Sequence, residues 1–264
     1  MTYQCLLYEV QDRIATLTLN RPERLNALSD PLRDDLYDAV TKSASNPAVG
    51  VLVITGAGRG FCSGGDVKSM SERDQAGQPP STNERLAPMR DRIILAMRDC
   101  PKPVIAAVNG AAAGAGMNLA LACDMRIAST AAKFSQAFVK RGIPPDWGGS
   151  YFLPRVVGTA KACELIFTGE AIDAAEALKL GIVNAVVAPE DLMAETYKLA
   201  RKIAAGPPVA IQLAKRAIHH NQDVDLRAAL EFETFAQGIC RETKDAKEGV
   251  RAFVEKRAPV FRGR

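Results

Sequence analysis

The chain is poor in the side chains on which many hydrolases and metalloenzymes depend. Its 264 residues include two histidines, His219 and His220, adjacent and late in the sequence. Neighbours on a helix point in different directions. The pair therefore reads as surface histidines, and a Ser-His-Asp or Cys-His triad has little to draw on. The six cysteines (Cys5, Cys62, Cys100, Cys123, Cys163 and Cys240) show no Cys-x-x-Cys spacing and mostly sit among apolar residues. That pattern predicts reduced core thiols and argues against a zinc site. No apolar run approaches the roughly eighteen residues that a membrane span needs. The N-terminus, MTYQCLLYEVQDR, lacks the basic segment and apolar stretch of a secretory signal, so the expected compartment is the cytoplasm. The net charge is only +4, with no basic block of the kind that marks a nucleic-acid surface. A small positive excess suits an anionic ligand. There is no internal repeat and no low-complexity tract.

What is plentiful is apolar: 47% of the residues, enough for a substantial core in one large domain or two small ones. Residues 5–20 alternate around Ile14, Leu17 and Leu19, as one half-buried strand would, and Arg21-Pro22 ends it. Ser29-Asp30-Pro31 supplies a helix cap and an early proline, with Leu32, Leu36 and Val40 following at helical spacing. The run VGVLVIT at 49–55 is continuous and rich in β-branched residues, as in a strand buried on both faces. Gly56-Ala57-Gly58-Arg59-Gly60 does not fit the G-x-G-x-x-G spacing of a dinucleotide loop. Beyond it, Phe61-Cys62-Ser63-Gly64-Gly65-Asp66 leads into a helix at Val67 that Asp66 is placed to cap. Residues 71–88 read as a polar surface insertion, and helical spacing resumes from Met89 to about Met97. After 147 the pattern gives two helices separated at Gly158. From Pro189 it is almost wholly helical: 191–205, 208–220 and 225–256. The composition shift near 190 divides the chain into an α/β core, 1–190, and a helical region, 191–264.

The chain is organised around 104–149. A buried-strand pattern at Val104–Val108 breaks into glycine and alanine at 110–116 and re-forms as an apolar helix. A second strand pattern follows Asp124, and the stretch ends in a stiff turn, Ile143-Pro144-Pro145-Asp146-Trp147-Gly148-Gly149, that carries one carboxylate and the only tryptophan. A strand feeding a glycine-rich helix start presents free N–H groups that can hold a phosphate or a developing oxyanion. A carboxylate in a rigid turn downstream is a candidate acid/base or nucleophile.

These stretches, with NRPERLNALS at 20–29, VLVITGAGRGFCSGGDVKSM at 51–70, PKPVIAAVNG at 101–110 and FVEKRAPVFRGR at 253–264, resemble the crotonase (enoyl-CoA hydratase/isomerase) superfamily over nearly the whole chain. The resemblance implies an α/β fold, a spiral of ββα units with a C-terminal helical trimerisation region. It also implies a homotrimer or dimer of trimers acting on an acyl-CoA thioester, with no separate cofactor and no metal. Two backbone N–H groups, at the positions of Gly65 and Ala115, would grip the thioester oxygen. Arg24, Leu25, Ala27, Gly64, Asp66 and Val67 would lie against coenzyme A or the substrate. Phe253 and Lys256 of the last helix would reach the nucleotide end, from this subunit or a neighbour.

The departures concern the reaction. Hydratases of the superfamily hold a water between two glutamates, and the matching positions here are Asn118 and Phe138. Asparagine cannot accept a proton from water, and phenylalanine offers no polar group. The string FSQAFVKRGIPPDWGG resembles instead the 1,2-epoxyphenylacetyl-CoA isomerase group, which also shifts 3-enoyl double bonds to the 2-enoyl position. That implies Asp146 as the base, with Asn118, Phe138 and Trp147 around the substrate and the two aromatic residues raising the aspartate's pKa. A hydratase using Asp146 and Asn118 is the alternative. An aspartate nucleophile of the 4-chlorobenzoyl-CoA dehalogenase type would need a histidine that residues 66–100 do not contain. A relative that binds coenzyme A thioesters or RNA without turnover is a further reading.

Overall fold

The computed structural model of the chain describes residues 3–77 and 92–264. Of the insertion expected at 71–88, the part from 78 onward lies outside the described residues, as does the helix start expected at Met89. Residues 71–75 are not loop: they continue a helix.

The first strand expected from the sequence is in fact a hairpin. Strands β1 (Leu6–Gln11) and β2 (Ile14–Leu19) pair antiparallel. The two residues between them, Asp12 and Arg13, have φ of +50° and +64°. A two-residue hairpin loop of type I′ requires this left-handed geometry at both positions. It is built here without glycine, which is why the alternation reads as unbroken. Helix α1 (Asp30–Ser45) starts as expected, with Ser29 Oγ accepting from the Leu32 N–H at 3.4 Å.

Parallel pairing then extends the sheet through β3 (Val51–Gly56), β5 (Val104–Val108), β7 (Met125–Ser129) and β10 (Ala185–Val187). Every residue of β3 and β5 is buried, which accounts for their unalternating apolar sequence. Three of these strands step directly into a second, smaller sheet. β3 leads to β4 (Gly60–Cys62), β5 to β6 (Ala111–Ala113) and β7 to β8 (Lys133–Ser135), and β9 (Ala171–Asp173) completes the order β4-β6-β8-β9. Helices follow the steps: α2 (Val67–Gln75), α3 (Arg92–Asp99), α4 (Ala115–Ala122), α5 (Gly149–Val157), α6 (Thr159–Thr168) and α7 (Ala174–Lys179). The repeated strand-strand-helix step gives a spiral with its main core between the large sheet and these helices.

The other face of the large sheet is covered by α8 (Leu192–Ala204). Leu192, Ala200 and Ala204 pack on Ile14, Val51, Val53, Ile105, Ala107 and Ile127. The change of composition near 190 therefore marks a change of secondary structure, with α8 still a layer of the core. Helices α9 (Pro208–His220), α10 (Leu226–Glu242) and α11 (Lys244–Val254) follow. The sequence pattern merges the last two, but Thr243, extended at ψ 153°, caps a new helix by accepting from the Ala246 N–H at 3.0 Å. None of the described helices is long and apolar enough to cross a membrane.

Candidate active site

Strands β4 and β6 are parallel neighbours, with Gly60 opposite Ala111 and Cys62 opposite Ala112. The chain leaving each must therefore emerge side by side with the other: Ser63-Gly64-Gly65 from β4, Gly114-Ala115 from β6. The approach is close. A Cβ on Gly64 would lie 2.6 Å from the Ala113 carbonyl oxygen and 3.3 Å from the Ala115 nitrogen, and Gly64 sits at φ +89°. Only glycine fits a position that is both left-handed and in contact with another backbone.

Among the described residues, neither the Gly65 nor the Ala115 N–H donates to a protein acceptor. Ala115 is the first residue of α4, where the N–H has no partner within its own helix. Both residues border a small cavity of about 70 Å³, whose wall also includes Ser63, Phe138, Arg141, Asp146 and Trp147. Asp146 is the one carboxylate on that wall among the described residues. Two free N–H groups beside a single carboxylate can polarise a carbonyl and move a proton next to it.

Phe138 and Trp147 are 5% and 2% exposed, yet Asp146 itself is exposed in the single chain. The apolar walls expected around the carboxylate flank it without enclosing it. Asp146 and Trp147 also border a larger cleft of about 980 Å³ between α3, α5 and α9, lined in part by Ile94, Leu95, Phe152 and His219. The proposed base thus stands where the two spaces meet.

Several residues expected at the substrate also take part in the protein's own frame. Asp66 caps α2 through the Ser69 N–H at 3.1 Å and pairs with Arg21 at 2.9 Å. Burial pushes its carboxyl up, but the Ser69 and Arg21 contacts outweigh this and hold it below the usual aspartate range. The Leu25 carbonyl accepts from the Ser63 N–H at 3.0 Å, the Arg24 carbonyl from Ser63 Oγ at 3.2 Å, and Gly64 O from the Leu28 N–H at 2.8 Å. The segment carrying Arg24, Leu25 and buried Ala27 is therefore laced to the first glycine loop. Val67 is half exposed just beyond it.

Asn118 departs furthest from expectation. It is wholly buried and absent from the cavity wall; its amide is spent inside the protein. Phe253 is 85% exposed and Lys256 is exposed at φ +51°, and neither borders the cavity or the cleft in one chain.

A model of the enoyl-CoA hydratase/isomerase family matches residues 9–264. The chain belongs to that family. A crotonyl-CoA hydratase of Syntrophomonas wolfei is 40% identical over 264 residues, covering 99% of each chain. A 1,2-epoxyphenylacetyl-CoA isomerase of Escherichia coli K12 is 39% identical over 98% of each. The crystal structure of an enoyl-CoA hydratase from Bacillus anthracis superposes with a TM-score of 0.93 at 37% identity, covering 99% of this chain and 100% of that one.

Two features of this family member escape a reading of the sequence. One is Gln136, wholly buried beside Asn118. Its signal was the alternation after Lys133: Phe134 points inward, so Gln136, two residues on, does too. The other is a largely buried ionic cluster. Lys215 pairs with Asp124 at 2.9 Å and also donates to the Met97 and Lys102 carbonyls, while His219 Nε2 lies 2.7 Å from the second Asp124 oxygen. His219 is therefore partly buried and held in place, on the wall of the larger cleft. His220 is a surface residue and stacks on Phe232. Lys215 lies four residues after Ile211 on the inward side of α9, which is the signal the pattern held. Burial pushes the Asp124 carboxyl up, but His219, Lys215 and the Val104 N–H together hold it below the usual range. Among the described residues, no group of three histidine, cysteine or acidic side chains is gathered as a metal would require.

Proposed function

We propose that the chain is an acyl-CoA isomerase of this family, with Asp146 as the base that relays a proton along the substrate. The observation that carries this is the cavity: among the described residues, two N–H groups without a protein acceptor, at Gly65 and Ala115, and one carboxylate share its wall. With a 3-enoyl thioester, Asp146 takes the proton alpha to the carbonyl. The electron pair moves onto the thioester oxygen as a dienolate held by the two N–H groups, and Asp146 returns the proton to the gamma carbon. The double bond moves into conjugation and the carboxylate is regenerated. A ring-epoxide aryl-acetyl thioester would use the same base and the same electron sink. Because the thioester carbonyl takes the electrons, the proposed chemistry includes no metal, flavin or nicotinamide. The family's pair of glutamates is replaced by Asn118, buried and internally bonded, and Phe138, which has no polar group.

Hydration of a 2-enoyl thioester is the second reading, favoured by relatives such as the one named a crotonyl-CoA hydratase. It would need Asp146 to activate the water alone. The exposed apolar residues of α10 and α11, including Leu226, Phe235, Val250 and Phe253, support association of subunits as a trimer or dimer of trimers, with Phe253 and Lys256 serving a neighbour's site.

The test is product analysis in heavy water by mass spectrometry and NMR. Matched 3-enoyl, 2-enoyl and ring-epoxide phenylacetyl thioesters of coenzyme A are given to wild type and Asp146→Asn. Rearrangement without gain of water, lost in the variant, is the expected result. Gain of water on the 2-enoyl substrate would replace the isomerase reading with the hydratase one.

A further inference from the structure

The turn that carries Asp146 is held from behind. Asn118 Nδ2 donates to the Asp146 backbone carbonyl at 2.7 Å, and the Gly149 N–H donates to the same oxygen at 3.0 Å. Gln136 Nε2 donates to Asn118 Oδ1 at 2.7 Å. Asn118 and Gln136 are both 0% exposed. The turn needs such support, because Trp147, directly after the base, is held in the left-handed region at φ +51°. A large side chain persists there only where its surroundings over-determine it. The fit around Asn118 is tight: a Cβ on Gly149 would overlap its amide.

The direction of this relay is set by its end. A carbonyl can only accept, so Asn118 must present its NH₂ to Asp146 and its oxygen to Gln136. We infer that Asn118, oriented by Gln136, is the positioning residue that fixes the Asp146 turn, so that the carboxylate faces the thioester site; this rests on the reading of Asp146 as base. The position that carries a glutamate in resembling hydratases has thus become a structural donor. Restoring a glutamate there would remove the donor and add length in a space with no room. It would not install hydration.

The experiment uses Asn118→Asp, Asn118→Leu, Gln136→Met and Asp146→Asn, singly and with each Asn118 change combined with Asp146→Asn, on a 3-enoyl thioester. Fold is checked by circular dichroism and thermal unfolding. A displacement of the base by an ångström or so costs on the order of 10²-fold in rate. Asn118→Leu is expected to lower kcat by about that factor at every pH, with KM changed less than about threefold. Gln136→Met is expected to lose less, on the order of tenfold. In Asn118→Asp the buried carboxyl donates to the Asp146 carbonyl only while protonated. Relative to wild type at the same pH, its kcat is therefore expected to be least reduced at low pH and to fall further behind as the new group ionises. Neither Asn118 change should add much to the loss caused by Asp146→Asn, since both act through the same group.

Additive losses in the double variants would overturn the inference, as would Asn118 and Gln136 variants with unchanged kcat. A Gln136→Met protein that folds and keeps wild-type kcat decides the matter even if both Asn118 variants fail to fold. If Asp146→Asn alone retains activity, the base assignment fails instead, and the two failures are told apart by that single variant.

Discussion

Gly64→Ala perturbs the point where the two glycine loops meet. A methyl group there would sit 2.6 Å from the Ala113 carbonyl oxygen and 3.3 Å from the Ala115 nitrogen. The first distance is well inside contact and the neighbour is backbone, so the loops must part by several tenths of an ångström. The φ of +89° adds a conformational cost of roughly 1–2 kcal/mol for an L-residue. The stability cost is thus a few kcal/mol at most, or a Tm lowered by about 2–4 °C for each kcal/mol in a chain of this size. The catalytic cost is larger in proportion. Parting the loops moves the Ala115 N–H away from the oxygen it would share with Gly65, and losing one such donor costs about 10²–10³ in kcat. Gly181→Ala separates the two effects, because Gly181 has φ +73° but nothing within 4 Å of a built Cβ. It should lose stability alone. The assay is kcat on a 3-enoyl thioester beside thermal unfolding for each variant. A Gly64→Ala protein within about threefold of wild-type kcat would refute the placement of the oxyanion site between these loops.

Lys215→Met leaves the partly buried Asp124 without its lysine partner and frees the carbonyls of Met97 and Lys102. Removing one member of a buried pair costs about 3–5 kcal/mol, and urea unfolding should show a loss of that size; less than about 1 kcal/mol would contradict the account. Stability should also fall in acid. Asp66 and Asp124 have folded pKa values below the ordinary 3.8, despite burial, because of the contacts described above. Their contribution is present above the unfolded value and is lost as pH falls through the folded one. The urea midpoint should hold down to about pH 4 and drop below it, and Asp66→Asn should flatten part of that drop. Burial pushes the Cys62 and Cys123 thiols up to about 12. A thiol-specific reagent at neutral pH should leave both unmodified in the native protein and reach all six cysteines after unfolding.

The central strands and both glycine loops are legible in the sequence because their signals are local: a run rich in β-branched residues for β3, and glycine at the helix starts after β4 and β6. The second sheet is not. Its strands are three residues each, too short for a period to show, and β6 is Ala-Ala-Ala, which favours helix. Pairing with β4 and β8 decides its conformation. The β1–β2 hairpin was hidden because left-handed Asp12 and Arg13 replace the usual turn residues. At the site, the residue types point to Asp146 and the two N–H groups, yet the work of Asn118 is a matter of direction. An asparagine that touches substrate and one that holds a turn look the same until Gln136 and the Asp146 carbonyl are seen on either side.

The central claim is that Asp146 moves a proton at the alpha carbon of a thioester held by Gly65 and Ala115. Incorporation of solvent deuterium at that carbon tests it most directly, since it reports the first step whatever the final product. Wild-type protein and Asp146→Asn are incubated in heavy water with a 3-enoyl thioester, and the substrate and product pools are read by NMR over time. Exchange or transfer at the alpha carbon in wild type, reduced by a hundredfold or so in the variant, is the predicted result. Equal rates in the two proteins would contradict the claim and place the base elsewhere.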